Sequence, residues 1–538
     1  MSAAESSRVA RDSAVVGAAT VASRLLGFAR DVLIARLLGG GPVADAYLAA
    51  LRLPNLVRRV LGEGGLNAPF VPLYLGIARE RGPQEARRFA SEATGNLAFL
   101  LLLLVAVGEL FAPWLVLGLA GGFAEEPATL AFAAYYTRLM LPFLLLTTLA
   151  ALLAALLNAE KRFTVVALAP ALMNAILLAL LLGLHLNGTP PERAAQWLAI
   201  CVSLTGLAHL VMILLALRGL GAFSSEVEAG SRGEKATRYS ILPRPALRWS
   251  SDMTRLLRTG GATLLAASAA QLVLLVATQI ASIEPGAVAA LYYADRVFQL
   301  PLGFVGVAMG TVVLSDMADA AGRDGPDAML GQSLALGLAL ALPAGAALVA
   351  LADPIVSVLF EHGRFEAADR ARTAGALAAF GYGLPFAIAA KVFGQVYFAR
   401  RRPRLPLLSG CLAVLVAALV GLGLADGDNA ARMAAFAATL AFAVQAVMLG
   451  ATLIRDGIWR PSASNLRPIA ASLAASAVML GALPLLLKAL AAPLALDQPI
   501  LYRAGGLVLL CLGGVVVYGA IGGLLGAFGA LPLRKRRA

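Results

Sequence analysis

The sequence predicts an all-α polytopic membrane protein, and three observations carry that expectation. Of its 538 residues, 60% are hydrophobic and only 14% are charged, and its mean hydropathy is +0.81, far too apolar for a surface facing water. Stretches of about 20 mostly apolar residues recur, the length that crosses a hydrocarbon layer about 30 Å thick at 1.5 Å per residue. Lys and Arg are split among the gaps between those stretches, so the net charge of +13 points to membrane topology and away from nucleic acid.

Fourteen such stretches are expected, near 13–38, 45–77, 92–119, 130–157, 164–186, 194–217, 253–281, 287–315, 330–352, 373–399, 405–424, 430–454, 468–491 and 502–529. The polar opening MSAAESSRVARD does not look like a cleaved signal, so the first stretch is expected to persist in the mature protein. The longest polar interruption, Leu220 to Ser251, falls between the sixth and seventh stretches. It suggests a first six-helix lobe at 1–218, a cytoplasmic linker at 219–251, a second six-helix lobe at 252–456, and two further helices with a basic tail at 457–538. Two-lobed bundles commonly transport by alternating access about a central site.

Orientation follows from alternating the gaps between the two sides. Arg79, Arg81, Arg87 and Arg88, then Lys161 and Arg162, then Arg400, Arg401, Arg402 and Arg404, then Arg534, Lys535, Arg536 and Arg537 all share the side that holds both termini. The positive-inside rule makes that side cytoplasmic. The gap containing Arg364, Arg370 and Arg372 runs against the rule. Cys201, Cys411 and Cys511 sit in apolar stretches without CxxC spacing and read as small core residues, not as a metal or disulfide site. His185, His209 and His362 are scattered, and no GxxxxGK[ST] phosphate loop occurs, so neither a histidine metal centre nor ATPase chemistry is expected.

The informative residues are charges inside apolar stretches. Arg24, Arg30 and Asp31 lie in the first, and Asp45, Arg52, Asn55, Arg58, Arg59 and Glu63 in the second. Asp295, Arg296 and Gln299 lie in the eighth and Lys391 in the tenth. An arginine facing lipid at mid-bilayer costs about 2.5–3.5 kcal/mol, so Arg24, Arg30, Arg58 and Arg296 are expected to face a hydrated interior. On an ideal wheel Arg24 and Asp31 share a face about 10.5 Å apart while Arg30 points elsewhere, which argues against one simple ion pair. Asp45, Arg52, Asn55, Arg59 and Glu63 fall on one arc, with Arg59 and Glu63 spaced to pair at i, i+4, although Pro54 makes the wheel unreliable past it. One reading is internally paired or snorkelling charge, the simpler account for Lys391. The other is a cationic cavity whose arginines grip phosphate oxygens while Asp31, Asp45 and Asp295 orient them.

The run SRLLGFARDVLIARLLGGGPVADAYLAALRLPNLVRRVLGEGGLNAPFVP, from Ser23 to Pro72, resembles the opening of the MurJ (MviN) family of lipid II flippases. Further matching segments follow in order: LNAEKRF from Leu157, ALAPALMN from Ala167, YYADRVFQLPLGFVGVAMGT from Tyr292, LFEHGRF from Leu359 and FARRRPRLP from Phe398. The resemblance covers essentially the whole chain and is weakest over the last four stretches. It implies the multidrug/oligosaccharidyl-lipid/polysaccharide exporter fold, two six-helix lobes in a V with two C-terminal helices forming a groove for a polyprenyl tail. It also implies a substrate, lipid II, an undecaprenyl diphosphate carrying the disaccharide-pentapeptide unit of peptidoglycan.

The family's important arginines correspond to Arg24, Arg30, Arg58 and Arg296, with Asp45, Asn55, Glu63 and Asp295 in the same motifs. Arg52 stands where some relatives have lysine, and Gln299 where some have glutamate. The expected activity is transport in cell-wall biogenesis at the bacterial cytoplasmic membrane, with no enzymatic step and no cofactor, driven by membrane potential or a monovalent ion. The expected partners are lipid II, bilayer lipids and the cell-wall synthesis machinery. Some family members hold sodium between the seventh and eleventh helices on acidic residues. Here those helices offer Thr263, Ser268, Gln271, Gln279 and Ser409 without an internal carboxylate, so no sodium site is expected there. The competing functions are export of another polyprenyl-diphosphate saccharide or a small cation, a membrane-embedded transferase acting on the same lipid, and a scaffold that keeps the fold without transport.

Overall fold

A computed structural model describes residues 3–57, 67–160, 162–229, 243–319, 326–400, 402 and 404–530, with side chains described outside 3–16, 57, 67–68, 219–229, 262–270, 306–319, 326–328 and 530. Among the described residues all regular structure is helical. In order the helices are α1 (Ala3–Leu38), α2 (Pro42–Val57), α3 (Asn67–Arg81), α4 (Pro83–Leu110), α5 (Ala112–Leu119), α6 (Pro127–Ala159), α7 (Phe163–Leu186), α8 (Pro191–Ala229) and α9 (Ser251–Ala281). Then come α10 (Ala287–Asp319), α11 (Pro326–Ala350), α12 (Ala352–Phe360), α13 (Ala367–Ala399), α14 (Arg404–Leu424), α15 (Ala430–Arg455), α16 (Ala463–Ala489), α17 (Ala491–Leu494) and α18 (Ile500–Leu525). Leu and Ala fill them, and proline opens α4 and α6, where its missing N–H costs nothing.

Each of the fourteen predicted stretches holds at least one of these helices, and ten helices among the described residues are long and apolar enough to cross a membrane. One stretch is divided, the third, which breaks at Phe111 between α4 and α5; the second holds α2 and α3, with 58–66 outside the described residues, and the ninth ends where α11 does, with α12 following it. Cys201 is buried as expected, but Cys411 and Cys511 are exposed, because they sit on outward faces of apolar helices. Large apolar side chains such as Leu103, Leu412 and Leu509 are exposed on the same helices, as a multi-pass membrane protein requires.

The chain forms two compact units. The first holds the described residues of Met1–Leu38, Pro42–Leu119 and Phe123–Gln271. Its long helix α6 packs against α2, α4 and α8, while α1 lies along α7. A core of Phe70, Phe89, Leu152, Ile213 and Met253 fills the space between them, with the Phe70 and Phe89 rings stacked 5.5 Å apart. The segment before α9 is stitched to α4, where Ala246 N donates to Ser91 O at 3.0 Å and Asn96 Nδ2 to Arg248 O at 2.6 Å.

The second unit holds the described residues of Leu272–Ala538 together with Gly39–Gly41 and Ala120–Gly122. Helix α13 is its centre, packed against α10, α11 and α15, and α16 packs against α11 and α18. The two short upstream segments are bound through backbone groups. Gly40 N donates to Asp369 Oδ2 at 3.1 Å, Tyr293 OH to Gly39 O at 3.0 Å, and Gly122 N to Ser282 Oγ at 2.9 Å. Gly39 has φ of 73°, and a Cβ there would lie 2.5 Å from Arg364 O, so no other residue fits.

Arginines that contradict the positive-inside pattern have local partners here. Arg370 pairs with Asp353 and Glu361, and Arg372 with Glu284 and Asp369. Arg503 of α18 is 4% exposed and donates to Ser357 O at 2.9 Å and Ser357 Oγ at 2.8 Å, anchoring α18 to α12. Substituting Arg503→Leu is therefore expected to lower unfolding stability by about 2–3 kcal/mol through the groups left unpaired. Arg455→Ala, at an exposed pair with Asp456, should change it by less than about 0.5 kcal/mol. Denaturation midpoints of the purified protein in detergent check both, and equal effects would contradict the anchoring role.

Candidate functional site

Within the first unit, the charges of α1 meet α7. Arg24 is exposed and lines a pocket of about 430 Å³ with Thr20, Ser23, Asn158, Phe163, Val166, Ala167 and Pro170. None of these lining residues is acidic, and three supply polar groups against an apolar wall. Such a lining suits an amphiphile with an anionic end. Pro170 lies inside α7, where it removes one ladder bond at the wall of the pocket.

Arg30 is half-buried one and a half turns further on, and its partners are near. Its Nε and Nη2 donate to Asp31 Oδ1 at 2.9 and 2.7 Å, and its Nη1 donates to Asn174 Oδ1 at 2.9 Å. The wheel argument against such a pair is thus corrected. Adjacent Cβ atoms do diverge by about 100°, but the long guanidinium arm folds back across the helix to reach its neighbour. Asp31 is 2% exposed, so that contact compensates a charge with almost no access to water.

Asp45 is buried in the first turn of α2, while Arg52 and Asn55 are half-buried further along the same helix. Arg58, Arg59 and Glu63 lie outside the described residues, and with them the expected Arg59 to Glu63 pair.

In the second unit, Asp295 is 8% exposed and accepts a hydrogen bond from Gln299 Nε2 one turn on. The Arg296 guanidinium stands 4.6 Å from the centre of the Tyr292 ring, a cation–π contact that stabilises a partly desolvated cation. Lys391 is exposed on α13. Of the polar groups weighed for sodium, Gln279 Oε1 accepts from Gly121 N at 2.6 Å and Ser409 Oγ donates to Pro406 O at 2.9 Å. Gln271 is half-buried, and the side chains of Thr263 and Ser268 lie outside the described residues. Among the described residues no group of three or more His, Cys, Asp or Glu could hold a metal ion.

Asn174 is the residue that reading the sequence for charge passes over. It stands at the end of the ALAPALMN motif, and a neutral amide in an apolar helix gives no electrostatic signal. Its position four residues after Pro170, on the same motif, was the available hint.

Comparison with known proteins follows the same lines. The family model described as "Lipid II flippase MurJ" matches residues 34–499. The chain is 36% identical over 530 residues to "Probable lipid II flippase MurJ" of Rhizobium meliloti (strain 1021), covering 97% of this chain and 95% of that one. It is 29% identical over 477 residues to "Lipid II flippase MurJ" of Burkholderia cenocepacia, covering 86% and 87%. Among solved structures, "Lipid II flippase MurJ, inward closed conformation" superposes with a TM-score of 0.75 at 22% identity, covering 95% of this chain and 98% of that one. An inward-facing multidrug resistance MATE transporter of the MOP superfamily gives 0.59 at 14% identity, covering 81% and 95%.

The two arginines of α1 should separate in a stability measurement. Arg30→Ala strips the buried Asp31 of its guanidinium and is expected to cost about 3–5 kcal/mol. Arg24→Ala, at an exposed position, should stay within about 0.5 kcal/mol of the parent. Chemical denaturation in detergent reads the difference, and a similar loss at both positions would contradict the separate environments.

Proposed function

This chain belongs to the lipid II flippase MurJ family, and from that premise we propose how its arginines handle the substrate. It is a lipid II flippase, a multi-pass membrane transporter of a peptidoglycan precursor and not an enzyme. The diphosphate of the substrate is bound by Arg24, Arg30, Arg58 and Arg296, with Arg52 and Asn55 beside them. Asp31, Asp45, Arg59, Glu63, Asp295, Gln299 and Lys391 are the supporting polar residues. One observation carries the assignment: Arg24 opens onto a pocket whose lining holds a guanidinium, neutral polar groups and apolar side chains, and no acid among the described residues.

In this reading fourteen helices cross the cytoplasmic membrane, arranged as two six-helix lobes in a V with α16 and α18 forming a groove for the polyprenyl tail. Both termini are cytoplasmic. The exception at Arg370 and Arg372 has a local reason, since both are held in ion pairs. The head group enters from the cytoplasm, the lobes rock, and water admitted on the outer side weakens the phosphate contacts and releases the head. The empty carrier returns with its uncompensated positive charge. A potential of 100 mV is worth about 2.3 kcal/mol per full charge moved, enough to give the cycle a direction without ATP.

Purified protein in liposomes with labelled lipid II tests the cycle. Head groups are expected to become accessible on the far side, faster when an inside-negative potential is imposed, with the lipid chemically unchanged. Turnover into a new lipid product would overturn the transport reading. In cells depleted of their own flippase, Arg24→Ala, Arg58→Ala and Arg296→Ala should each fail to support growth at near-normal protein levels, Arg30→Ala should fail at a lowered level because its ion pair is lost, and Arg79→Ala should support growth. Normal growth with all four would remove the arginines from the substrate path.

A further inference from the structure

The amide of Asn174 makes contacts at both of its ends with α1, one with Arg30 and the other with Ser23, the residue before Arg24. Its Oδ1 accepts from Arg30 Nη1 at 2.9 Å, and its Nδ2 donates to Ser23 O at 3.0 Å, with Ser23 Oγ at 3.4 Å. A guanidinium only donates and a carbonyl oxygen only accepts, so these partners fix the orientation of the amide. Ser23, Gly27 and Arg30 follow one another at i, i+4 and i+7 along one face of α1. Gly27 is the notch that admits the amide, since a Cβ there would stand 3.3 Å from Asn174 Nδ2.

We propose that Asn174 is a positioning residue of the anion site in the first unit, setting the plane of the Arg30 guanidinium and the register of the Ser23 to Arg24 segment that lines the pocket. The proposal rests on the reading that these arginines bind the diphosphate. A phosphate is gripped by two parallel N–H donors whose directions are set in advance, so a fixed guanidinium plane raises affinity without adding a contact to the ligand. Asp31 approaches the same guanidinium on Nε and Nη2, and Asn174 approaches on Nη1. Between them the plane is determined.

The chemistry also accounts for an amide in place of an acid. A carboxylate at 174 would keep an acceptor for Arg30 but add a negative charge beside Asp31, reduce the positive potential that attracts a phosphate, and oppose the Ser23 carbonyl it now serves as a donor. A neutral oxygen orients the arginine without competing with the ligand for its charge.

The test uses the full-length chain in lipid nanodiscs, with undecaprenyl diphosphate as the probe and undecaprenyl monophosphate as the comparison, and thermal midpoints recorded alongside. Asn174→Leu, of similar volume, is expected to weaken diphosphate binding about tenfold, the loss typical of a hydrogen bond to a charged group. Asn174→Asp is expected to weaken it further while keeping the protein folded, and Asn174→Gln should recover part of the affinity. Preference for diphosphate over monophosphate should shrink in the order Asn, Gln, Leu, Asp.

A purely structural tether predicts the opposite order for the two key variants, because Asp keeps a partner for Arg30 and Leu does not. Binding by Asn174→Asp equal to the parent, or tighter than Asn174→Leu, overturns the proposal. Arg24→Ala and Arg30→Ala serve as the reference: unchanged diphosphate affinity in both would remove the anion site itself, a result separable from any behaviour of the Asn174 variants.

Discussion

Charge inside an apolar helix needs a partner within reach, and that constraint organises both units of this protein. The cost of leaving a carboxylate or guanidinium uncompensated away from water exceeds what any single packing contact returns. In the first unit the buried Asp31 is matched by its neighbour Arg30, which is in turn held by Asn174. In the second, Glu284 takes Arg372 and also the backbone N–H of Ala431 at the start of α15, while Glu361 takes Arg370. The contacts of Arg30 with Asn174 and of Glu284 with Arg372 and Ala431 tie together elements far apart in sequence.

Against that background Arg24 is the departure. It sits in the same helix as Arg30, six residues away, yet it opens onto a pocket lined by hydroxyls, an amide and apolar groups. Two arginines on one helix thus have different electrostatic settings, one matched inside the protein and one directed at space. Such a division suits a carrier. Under the proposed function both serve the cargo, Arg30 as a guanidinium held in a set plane by its partners and Arg24 as one that a phosphate can approach from the pocket.

Much of the fold was legible in the sequence because length and apolarity are all that a membrane-crossing helix needs to declare itself. What escaped was interruption. Apolarity is continuous through Phe111, so nothing in a hydropathy pattern marks the break there, and the nearby Pro113 was the available signal. For the candidate site, reading by charge found Arg24, Arg30, Asp31, Asp295 and Arg296. It misjudged the Arg30 to Asp31 contact because a helical wheel places every side chain at its Cβ, whereas a guanidinium reaches several ångströms beyond. It overlooked Asn174 because an amide carries no charge, and its importance appears only when α7 lies against α1. The same limit applied at Arg370 and Arg372, whose partners Glu361 and Glu284 lie 9 and 88 residues away.

The two units reach a comparable solution with different connectivity. One places arginine before aspartate, Arg30 and Asp31, with the amide of Asn174 on the arginine; the other places aspartate before arginine, Asp295 and Arg296, with the amide of Gln299 on the aspartate. In each, an acid and a base adjacent in sequence are accompanied by a neutral carboxamide. A second carboxylate in the amide's place would turn each neutral group into a net negative one, and would lower the potential available to an anionic head group in both. Neutral amides orient without cancelling. A carrier that must hold a diphosphate firmly enough to move it and loosely enough to release it gains from that distinction, because orientation is retained at every stage without adding negative charge against the cargo.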